Sequence, residues 1–180
     1  MKVTLTKLDG VLILEPQVFR DDRGFFVETY NRQRYADVPG LDIEFVQDNH
    51  SHSRMGVLRG LHLQRKYPQG KLVRVVRGRV WDVAVDVNPH SNTFRQWVGV
   101  EISETNHLQF YIPPGFAHGF CVLSDRADFE YKCTEFYHPE DEIGLLWNDP
   151  ELNIHWPVKD PIVSARDAAN KSLRSVLAVE

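Results

Sequence analysis

Apolar and polar residues alternate with a period of two through the middle of the chain, which is the pattern of half-buried β-strands. The clearest run covers residues 71–76 and ends at the turn signal Arg77-Gly78. A second alternating run follows at 79–87, with apolar side chains at 81, 83, 85 and 87 on one face. The pattern therefore predicts two neighbouring strands joined by a tight turn.

The same period predicts further short strands on both sides of this pair. Residues 108–112 form one, and the Pro-Pro-Gly at 113–115 ends it. Residues 119–123 and 129–136 predict a second hairpin with a loop at 124–126, and residues 11–14, 25–30 and 45–49 predict shorter strands. Helical signals are few: Asn31 caps a possible helix over 31–38, and the Ser-Ala-Arg-Asp at 164–167 is typical of a capping box.

Many short strands at near-regular spacing indicate an all-β sandwich or closed barrel with a few short helices, the last near the C-terminus. The chain has 180 residues, which suits one domain with a real core. No repeat, low-complexity segment or linker interrupts it, so we expect residues 1–180 to form a single domain.

Composition excludes several classes of protein. Apolar residues make up 42% and no apolar run exceeds four residues, so we expect no membrane span. The N-terminus lacks the features of a secretion signal, which predicts a cytoplasmic protein. Cys121 and Cys133 both lie among apolar residues; two reduced core thiols are favoured, with a disulfide as the alternative.

The charge distribution is more informative than the net charge of −4, which argues against nucleic-acid binding. Residues 54–79 contain eight Lys or Arg and no Asp or Glu. Because this stretch also alternates as a strand does, some of its cations are expected to point inward, where an unpaired charge is very costly. A bound phosphate or pyrophosphate would pair with them, and two solvated surfaces are the alternative.

Two motifs resemble those of the cupin β-barrels, and this predicts a cupin-type jelly roll. Gly56 followed by His62 resembles the first cupin motif, and Pro113-x-Gly115-x-x-His118 resembles the second. Metal-binding cupins carry His-x-His and a Glu in the first motif. Here Gln64 stands at the second His position and Lys71 best matches the Glu, so only two ligands remain and no metal is expected.

The replacement of ligands by a lysine suggests a different chemistry. An ammonium can stabilise a developing anion, and His62 nearby could remove a proton next to a carbonyl. Tyr131 shares a strand face with positions 129 and 133 and could return a proton from the opposite side. Each residue also has a structural alternative: a satisfied histidine, a solvated lysine, a core tyrosine, and for Asp167 a capping residue that does not orient His62.

The ordered motifs resemble one family, the dTDP-4-dehydrorhamnose 3,5-epimerases, over nearly the whole chain. They are Asp-Arg-Gly-Phe-Phe at 22–26, Phe-Val-Gln-Asp-Asn-His-Ser at 45–51, Gly-Val-Leu-Arg-Gly-Leu-His at 56–62, Gln-Gly-Lys-Leu-Val at 69–73, Asp-Val-Ala-Val-Asp at 82–86, Ile-Pro-Pro-Gly-Phe-Ala-His-Gly-Phe at 112–120 and Trp-Asn-Asp-Pro at 147–150. Any one motif is weak, whereas seven in this order are specific.

The resemblance implies roles for particular residues. His62 matches the catalytic base, Asp167 its partner, Tyr131 the general acid and Lys71 the lysine beside the substrate ketone. Residues matched to substrate binding are Arg23, Phe25, Glu28, Gln47, Asn49, Arg59, Lys71, His118, Tyr137, Glu142 and Arg166. In the family the strand with Arg23, Phe25 and Glu28 reaches the partner subunit's site, which implies a homodimer.

The implied reaction inverts C3 and C5 of dTDP-4-dehydro-6-deoxy-D-glucose without metal or redox cofactor. Three departures from the family pattern, Leu63, Asn88 and Arg166, leave open a single-carbon epimerase or a ketoisomerase on a related dTDP-4-keto sugar. Rivals of other classes are a metal-dependent cupin, which the ligand count disfavours, and a non-catalytic sugar-nucleotide-binding cupin, which would not need a complete base and acid pair.

Overall fold

The structure, a computed structural model, describes residues 1–178. Its strands are β1 (Lys2–Leu5), β2 (Leu12–Glu15), β3 (Val18–Asp21), β4 (Gly24–Val27), β5 (Gln47–Arg54), β6 (Leu58–Gln64), β7 (Lys71–Arg77), β8 (Arg79–Asp86), β9 (Trp97–Ser103), β10 (Gln109–Ile112), β11 (Phe116–Val122), β12 (Arg126–Cys133) and β13 (Glu142–Gly144). Its helices are α1 (Arg32–Ala36), α2 (Ala165–Ala168) and α3 (Leu173–Leu177).

Two antiparallel sheets form the body of the molecule. One has six strands in the order β1-β2-β10-β7-β12-β5, and the other has five in the order β13-β6-β11-β8-β9. Within residues 1–178, the strands β3 and β4 pair only with each other. The all-β jelly-roll prediction is confirmed, and the prediction of a few short helices is confirmed with it.

The two predicted hairpins are wrong in their pairing. β7 and β8 follow each other through Gly78 but belong to opposite sheets, and so do β11 and β12. Gly78 has a φ of 82°, and a Cβ there would lie 2.0 Å from the carbonyl oxygen of Arg126, so the two corners are packed side by side. The Arg79 amide donates to Ser124 Oγ at 2.8 Å across the same contact. A turn signal marks where the chain bends, but not whether it returns to the same sheet.

Other strand predictions hold with shifted ends. β12 begins three residues before the predicted range and takes up part of the predicted loop, while β5 begins two residues later and ends five residues later than predicted. The strands β1, β3, β6, β9 and β13 lie outside every predicted strand range. Local pattern could have identified β9, since apolar residues stand at 98, 100 and 102. In β6 the apolar run is interrupted by Gly60 and His62, and β13 has only three residues, so tertiary pairing determines these two strands.

The core lies between the two sheets. Phe129 of the six-stranded sheet stacks on Phe120 of the five-stranded sheet, with ring centroids 4.1 Å apart. Val73 and Phe110 pack from one side and Val80 from the other, all fully buried. Burial of each such side chain contributes about 1.5–3 kcal/mol. This packing closes one end of the sandwich and leaves the other end, around His62, open.

The helix predictions are confirmed at their N-caps. Asn31 accepts a hydrogen bond from the Arg34 amide at the start of α1, and Ser164 accepts one from the Asp167 amide at the start of α2. Cys121 and Cys133 are both free and buried, as predicted for reduced core thiols. Within residues 1–178, no helix combines the length and apolar character that crossing a membrane requires.

Candidate active site

A cavity of about 610 Å³ opens between the two sheets. Strands β5, β7 and β12 wall it on one side, β6, β11 and β13 on the other, and residues 162–167 close one end. Most of the side chains predicted for the site line it: Gln47, Asn49, Arg59, His62, Lys71, His118, Tyr131, Tyr137, Glu142, Arg166 and Asp167. The fold therefore brings together residues from six strands and one helix.

His62 is held by the first residues of α2. Its Nε2 lies 2.7 Å from Asp167 Oδ1, and Asp167 Oδ2 accepts the Gly60 amide at 3.3 Å. Burial by itself would raise the pKa of Asp167, but the His62 hydrogen bond and charge, with the Gly60 and Ser164 contacts, lower it below 3.8. An ionised carboxylate only accepts, so Nε2 of His62 carries the proton and Nδ1 is free to act as a base.

A second carboxylate stands on the other side of the imidazole. Glu142 Oε1 lies 3.8 Å from His62 Nδ1. Its Oε2 accepts the Tyr137 hydroxyl at 3.0 Å and forms an ion pair with Arg166. Three predicted binding residues thus form one cluster, and the arginine balances the charge of Glu142 at the cavity wall.

Tyr131 enters the cavity from the six-stranded sheet, opposite the strand of His62. It pairs with Asn49 of β5 and Val73 of β7 across the sheet. Burial raises the pKa of Tyr131 to about 12, with Glu142 acting in the same direction and Arg59 in the opposite one. The phenol is therefore protonated at neutral pH and available as a donor. The inward orientation predicted from strand alternation is confirmed.

Lys71 begins β7 and points into the same cavity. Burial lowers the pKa of its ammonium, while Cys133, Glu142 and Asp82 act in the opposite direction. A desolvated cation held by the fold is suited to stabilise an anion that develops during a reaction. The alternative of a solvated strand end does not describe this side chain.

His118 has its own carboxylate partner. Its Nε2 donates to both oxygens of Asp82, at 2.8 and 3.0 Å, and the pair is buried. His118 also lies directly opposite His62 in the β6–β11 register. Two histidines, each backed by an aspartate, therefore line the same wall of the cavity.

Gln64 does not line the cavity, contrary to its interpretation as a residue at a ligand position in the site. Its amide nitrogen donates to the carbonyl oxygens of Tyr67 and Phe136, and its oxygen accepts the His138 amide at 2.9 Å. Gln64 thus joins two loops behind the site. Within residues 1–178, no three His, Cys, Asp or Glu side chains form a metal-holding group.

Most of the cations in the basic stretch at 54–79 do not line the cavity. Arg59 and Lys71 line the cavity, whereas Arg74 forms an ion pair with Glu130 and Arg79 one with Glu101 on the outside. Arg59 is held by β5, because its Nε donates to Ser53 Oγ at 3.0 Å. The prediction of inward cations is therefore correct for two of the side chains.

Comparison with known proteins agrees with this geometry. A family model described as dTDP-4-dehydrorhamnose 3,5-epimerase matches residues 5–175. The chain belongs to this family. The Shigella flexneri dTDP-4-dehydrorhamnose 3,5-epimerase is 55% identical over 168 residues, with 93% of each chain covered.

Solved structures of the family share the fold. The Legionella pneumophila dTDP-6-deoxy-D-glucose-3,5-epimerase, solved with dTDP-4-keto-L-rhamnose, is 50% identical, with a TM-score of 0.95 over 99% of this chain and 95% of that one. A more distant family relative, the Streptomyces niveus dTDP-4-dehydrorhamnose 3-epimerase, is 37% identical over 93% of this chain and 81% of its own.

Three residues that the family resemblance assigns to substrate binding lie outside the cavity of this chain. Arg23 pairs with Asp21, and Glu28 pairs with Arg34. Phe25 is exposed and packs against His107, with ring centroids 4.7 Å apart. They belong to the separate β3–β4 ribbon and the segment after it, so within one chain nothing joins them to His62.

Two groups at the site were not predicted as site residues: Ser51 lines the cavity, and Asp82 lies fully buried behind His118. Ser51 follows Gln47 and Asn49 at alternate positions of β5, and its buried Oγ has no hydrogen-bond partner among the described residues. Asp82 lies in a family motif but its role as the partner of His118 depends on β8 pairing with β11. Strand alternation could have identified Ser51; no local signal identifies Asp82.

Proposed function

We propose that this protein is an epimerase that inverts C3 and C5 of dTDP-4-dehydro-6-deoxy-D-glucose to give dTDP-4-dehydro-L-rhamnose. The observation that carries the proposal is that His62 of one sheet, paired with Asp167 of α2, lies across a cavity from a protonated Tyr131 of the other sheet. A base and an acid on opposite walls suit removal of a proton from one face of a sugar and its replacement from the other.

The C4 ketone makes the hydrogens on C3 and C5 acidic. His62 takes such a proton through Nδ1, since Nε2 is occupied by Asp167, and the carboxylate balances the imidazolium that forms. A positioned base of this kind contributes about a hundred- to ten-thousand-fold in rate. The electrons of the C–H bond move to the ketone oxygen and give an enolate.

Lys71 stabilises that enolate, because its ammonium is desolvated and aimed into the cavity. One preorganised donor contributes about 2.7–4 kcal/mol to such a step. Tyr131 then donates its phenolic proton to the opposite face of the same carbon. The imidazolium loses a proton and the phenolate regains one through solvent, which restores the site for the second carbon.

The proposed chemistry uses no metal or redox cofactor. The two histidines direct Nε2 to aspartates, and Lys71 lines the opposite wall of the cavity. Epimerisation next to a ketone leaves the oxidation state unchanged, so the reaction needs only proton transfer and charge stabilisation.

We further propose that residues 1–180 act as one domain and as a homodimer in the cytoplasm. The β3–β4 ribbon exposes Phe19, Phe25 and Phe26 and carries Arg23, which is the composition of a segment that packs on another chain. In a partner's cavity these residues would add an arginine for the diphosphate and, with Tyr137, an aromatic surface for thymine. Sedimentation of the purified protein tests the dimer, and a monomer at micromolar concentration would contradict it.

A single-carbon epimerase on a related dTDP-4-keto sugar is the second candidate, since the 3-epimerase relative is 37% identical. The same base and acid would serve one carbon if the ring could not be presented in a second orientation. Incubation of the 4-keto sugar in heavy water, with deuterium followed at C3 and C5 by NMR, separates the candidates. Exchange and inversion at both carbons support the main proposal, whereas exchange at one supports the second. Exchange at neither carbon contradicts both.

A further inference from the structure

Three side chains and one backbone amide form a chain of hydrogen bonds along the cavity wall. The Tyr137 amide donates to Gln47 Oε1 at 2.9 Å. Gln47 Nε2 donates to Asn49 Oδ1 at 3.0 Å, and Asn49 Nδ2 donates to Cys133 Sγ at 3.5 Å. Gln47 and Asn49 line the cavity, whereas Cys133 lies fully buried behind it.

The first donor sets the direction of the whole chain. A backbone N–H can only donate, so the oxygen of Gln47 must face Tyr137 and its nitrogen must face Asn49. The oxygen of Asn49 is then used, and its nitrogen must face the sulfur of Cys133. Each side-chain amide has two N–H groups, so one from each residue is left over. The oxygens of Gln47 and Asn49 each already accept one hydrogen bond within the chain.

Cys133 is well placed to end this chain. It pairs with Gln47 of β5 on one side and with Lys71 of β7 on the other. Burial raises the pKa of its thiol to about 11, so the sulfur is a neutral, weak acceptor at neutral pH. The same side chain therefore lies between an amide of the binding wall and the lysine of the site.

We propose that Cys133 is a positioning residue that ends this hydrogen-bond chain and so presents Gln47 and Asn49 to the ligand as donors. This inference rests on the proposed function, and it adds the polarity of one wall of the substrate site. That wall selects acceptor oxygens of the sugar nucleotide, namely hydroxyl, carbonyl or phosphate oxygens. An ammonium group of an amino sugar at the same place would face the two remaining N–H donors and would bind poorly.

The other buried cysteine provides a matched control. Cys121 is as fully buried as Cys133, on β11 of the opposite sheet, and burial also raises the pKa of its thiol, to about 12. It is not among the residues that line the cavity. Removal of its sulfur costs packing of the same kind without removing an acceptor from the chain of amides.

The first measurement concerns the ligand-free protein and does not depend on activity. The side-chain amide signals of Gln47 and Asn49 are assigned in ¹H–¹⁵N spectra by their loss in Gln47→Ala and Asn49→Ala. In Cys133→Ala the Asn49 signal is expected to move upfield, while Cys121→Ala leaves it in place. An unmoved Asn49 signal in Cys133→Ala would overturn the inference, whatever the protein's reaction.

The second measurement is the Kd for dTDP-glucose, an unreactive sugar nucleotide, by titration calorimetry. Loss of one neutral hydrogen bond predicts about threefold to tenfold weaker binding by Cys133→Ala. Cys133→Ser retains an acceptor and Cys121→Ala retains the chain, so both are expected to stay within about twofold of the natural protein. Equal losses in Cys133→Ala and Cys121→Ala, or no rescue by serine, would overturn the inference.

Two features keep these outcomes distinct. Cys133→Val fills the space without an acceptor and is expected to weaken binding as Cys133→Ala does, so it replaces that variant if the alanine protein does not fold. If the natural protein binds no dTDP-glucose but Cys133→Ala still moves the Asn49 signal, the proposed function is contradicted and the hydrogen-bond chain is supported.

Discussion

Asp167 Oδ1 lies 2.7 Å from His62 Nε2, although 105 residues separate the two along the chain. Ser164 caps the helix that carries Asp167, and the Gly60 amide holds its second oxygen, so the carboxylate is fixed at both ends. The capping motif and the orientation of His62 are therefore parts of one arrangement. The backbone amide of Asp167 donates to the capping Ser164, and its carboxylate accepts a hydrogen bond from His62.

Asp167→Asn is expected to lower kcat about 10- to 100-fold, because the amide is uncharged and stabilises the imidazolium less. It should also change stability with pH. The pKa of Asp167 is lowered from 3.8, so its ionisation stabilises the fold above that pH, and this contribution is lost as pH falls through the lower value. In urea unfolding from about pH 3 to about pH 6, the free energy of unfolding of the natural protein should rise relative to that of the variant as pH rises. A constant difference across this range would contradict the pairing.

His62→Asn is expected to reduce turnover about a thousandfold while the Kd for dTDP stays within about threefold. In the proposed mechanism the imidazole performs proton transfer, whereas Arg59 and the side-chain amides of β5 would bind the nucleotide. Steady-state kinetics and calorimetry on the same preparation check this. A loss of dTDP affinity as large as the loss of turnover would make His62 a binding residue.

Tyr131→Phe should separate proton exchange from inversion. The ring and its packing against Phe129 remain, but the phenolic proton, which a pKa of about 12 keeps in place at neutral pH, is absent. His62 and Lys71 still form the enolate, so the substrate should still exchange hydrogen with heavy water and give little inverted product. Exchange and inversion measured by NMR in one sample decide this. Equal loss of both would mean that Tyr131 only shapes the cavity.

Lys71→Met is expected to lower kcat about a hundred- to a thousandfold, since the enolate loses its charged partner. The same change should stabilise the fold, because burial disfavours the ammonium and lowers its pKa below 10.5. That burial cost is present below the lowered pKa and disappears as pH rises toward 10.5, so the gain in Tm should shrink in alkaline buffer. For a chain of this size each kcal/mol corresponds to about 2–4 °C. A lower Tm at neutral pH would show that the ammonium stabilises the fold.

Removal of metal ions should leave activity unchanged. The residues that would have to bind a metal are engaged otherwise, with His118 on Asp82 and Gln64 on backbone groups behind the site. Turnover is compared before and after dialysis against EDTA, with elemental analysis of the protein. Activity that is lost in EDTA and restored by a divalent ion would contradict the proposal.

Local pattern predicted the faces of the strands better than their partners. The alternation around residue 131 correctly directed Tyr131 inward, because successive side chains of a strand must point to opposite faces. The same pattern gave wrong hairpins at Gly78 and at 124–126, where the chain crosses to the opposite sheet. Both a hairpin turn and a corner between sheets require the same glycine and polar residues, so local signals do not separate them.

The sequence by itself determined an all-β chain, two reduced core thiols, the caps at Asn31 and Ser164 and, through ordered motifs, membership of the family. Only the tertiary structure decided which groups meet: Asp82 with His118, Glu142 with His62, and Cys133 at the end of the amide chain. It also assigned Gln64 to the loops rather than to the cavity. The reason is physical, since periodicity records how each residue meets the core, whereas hydrogen bonds between distant strands depend on sheet order and register.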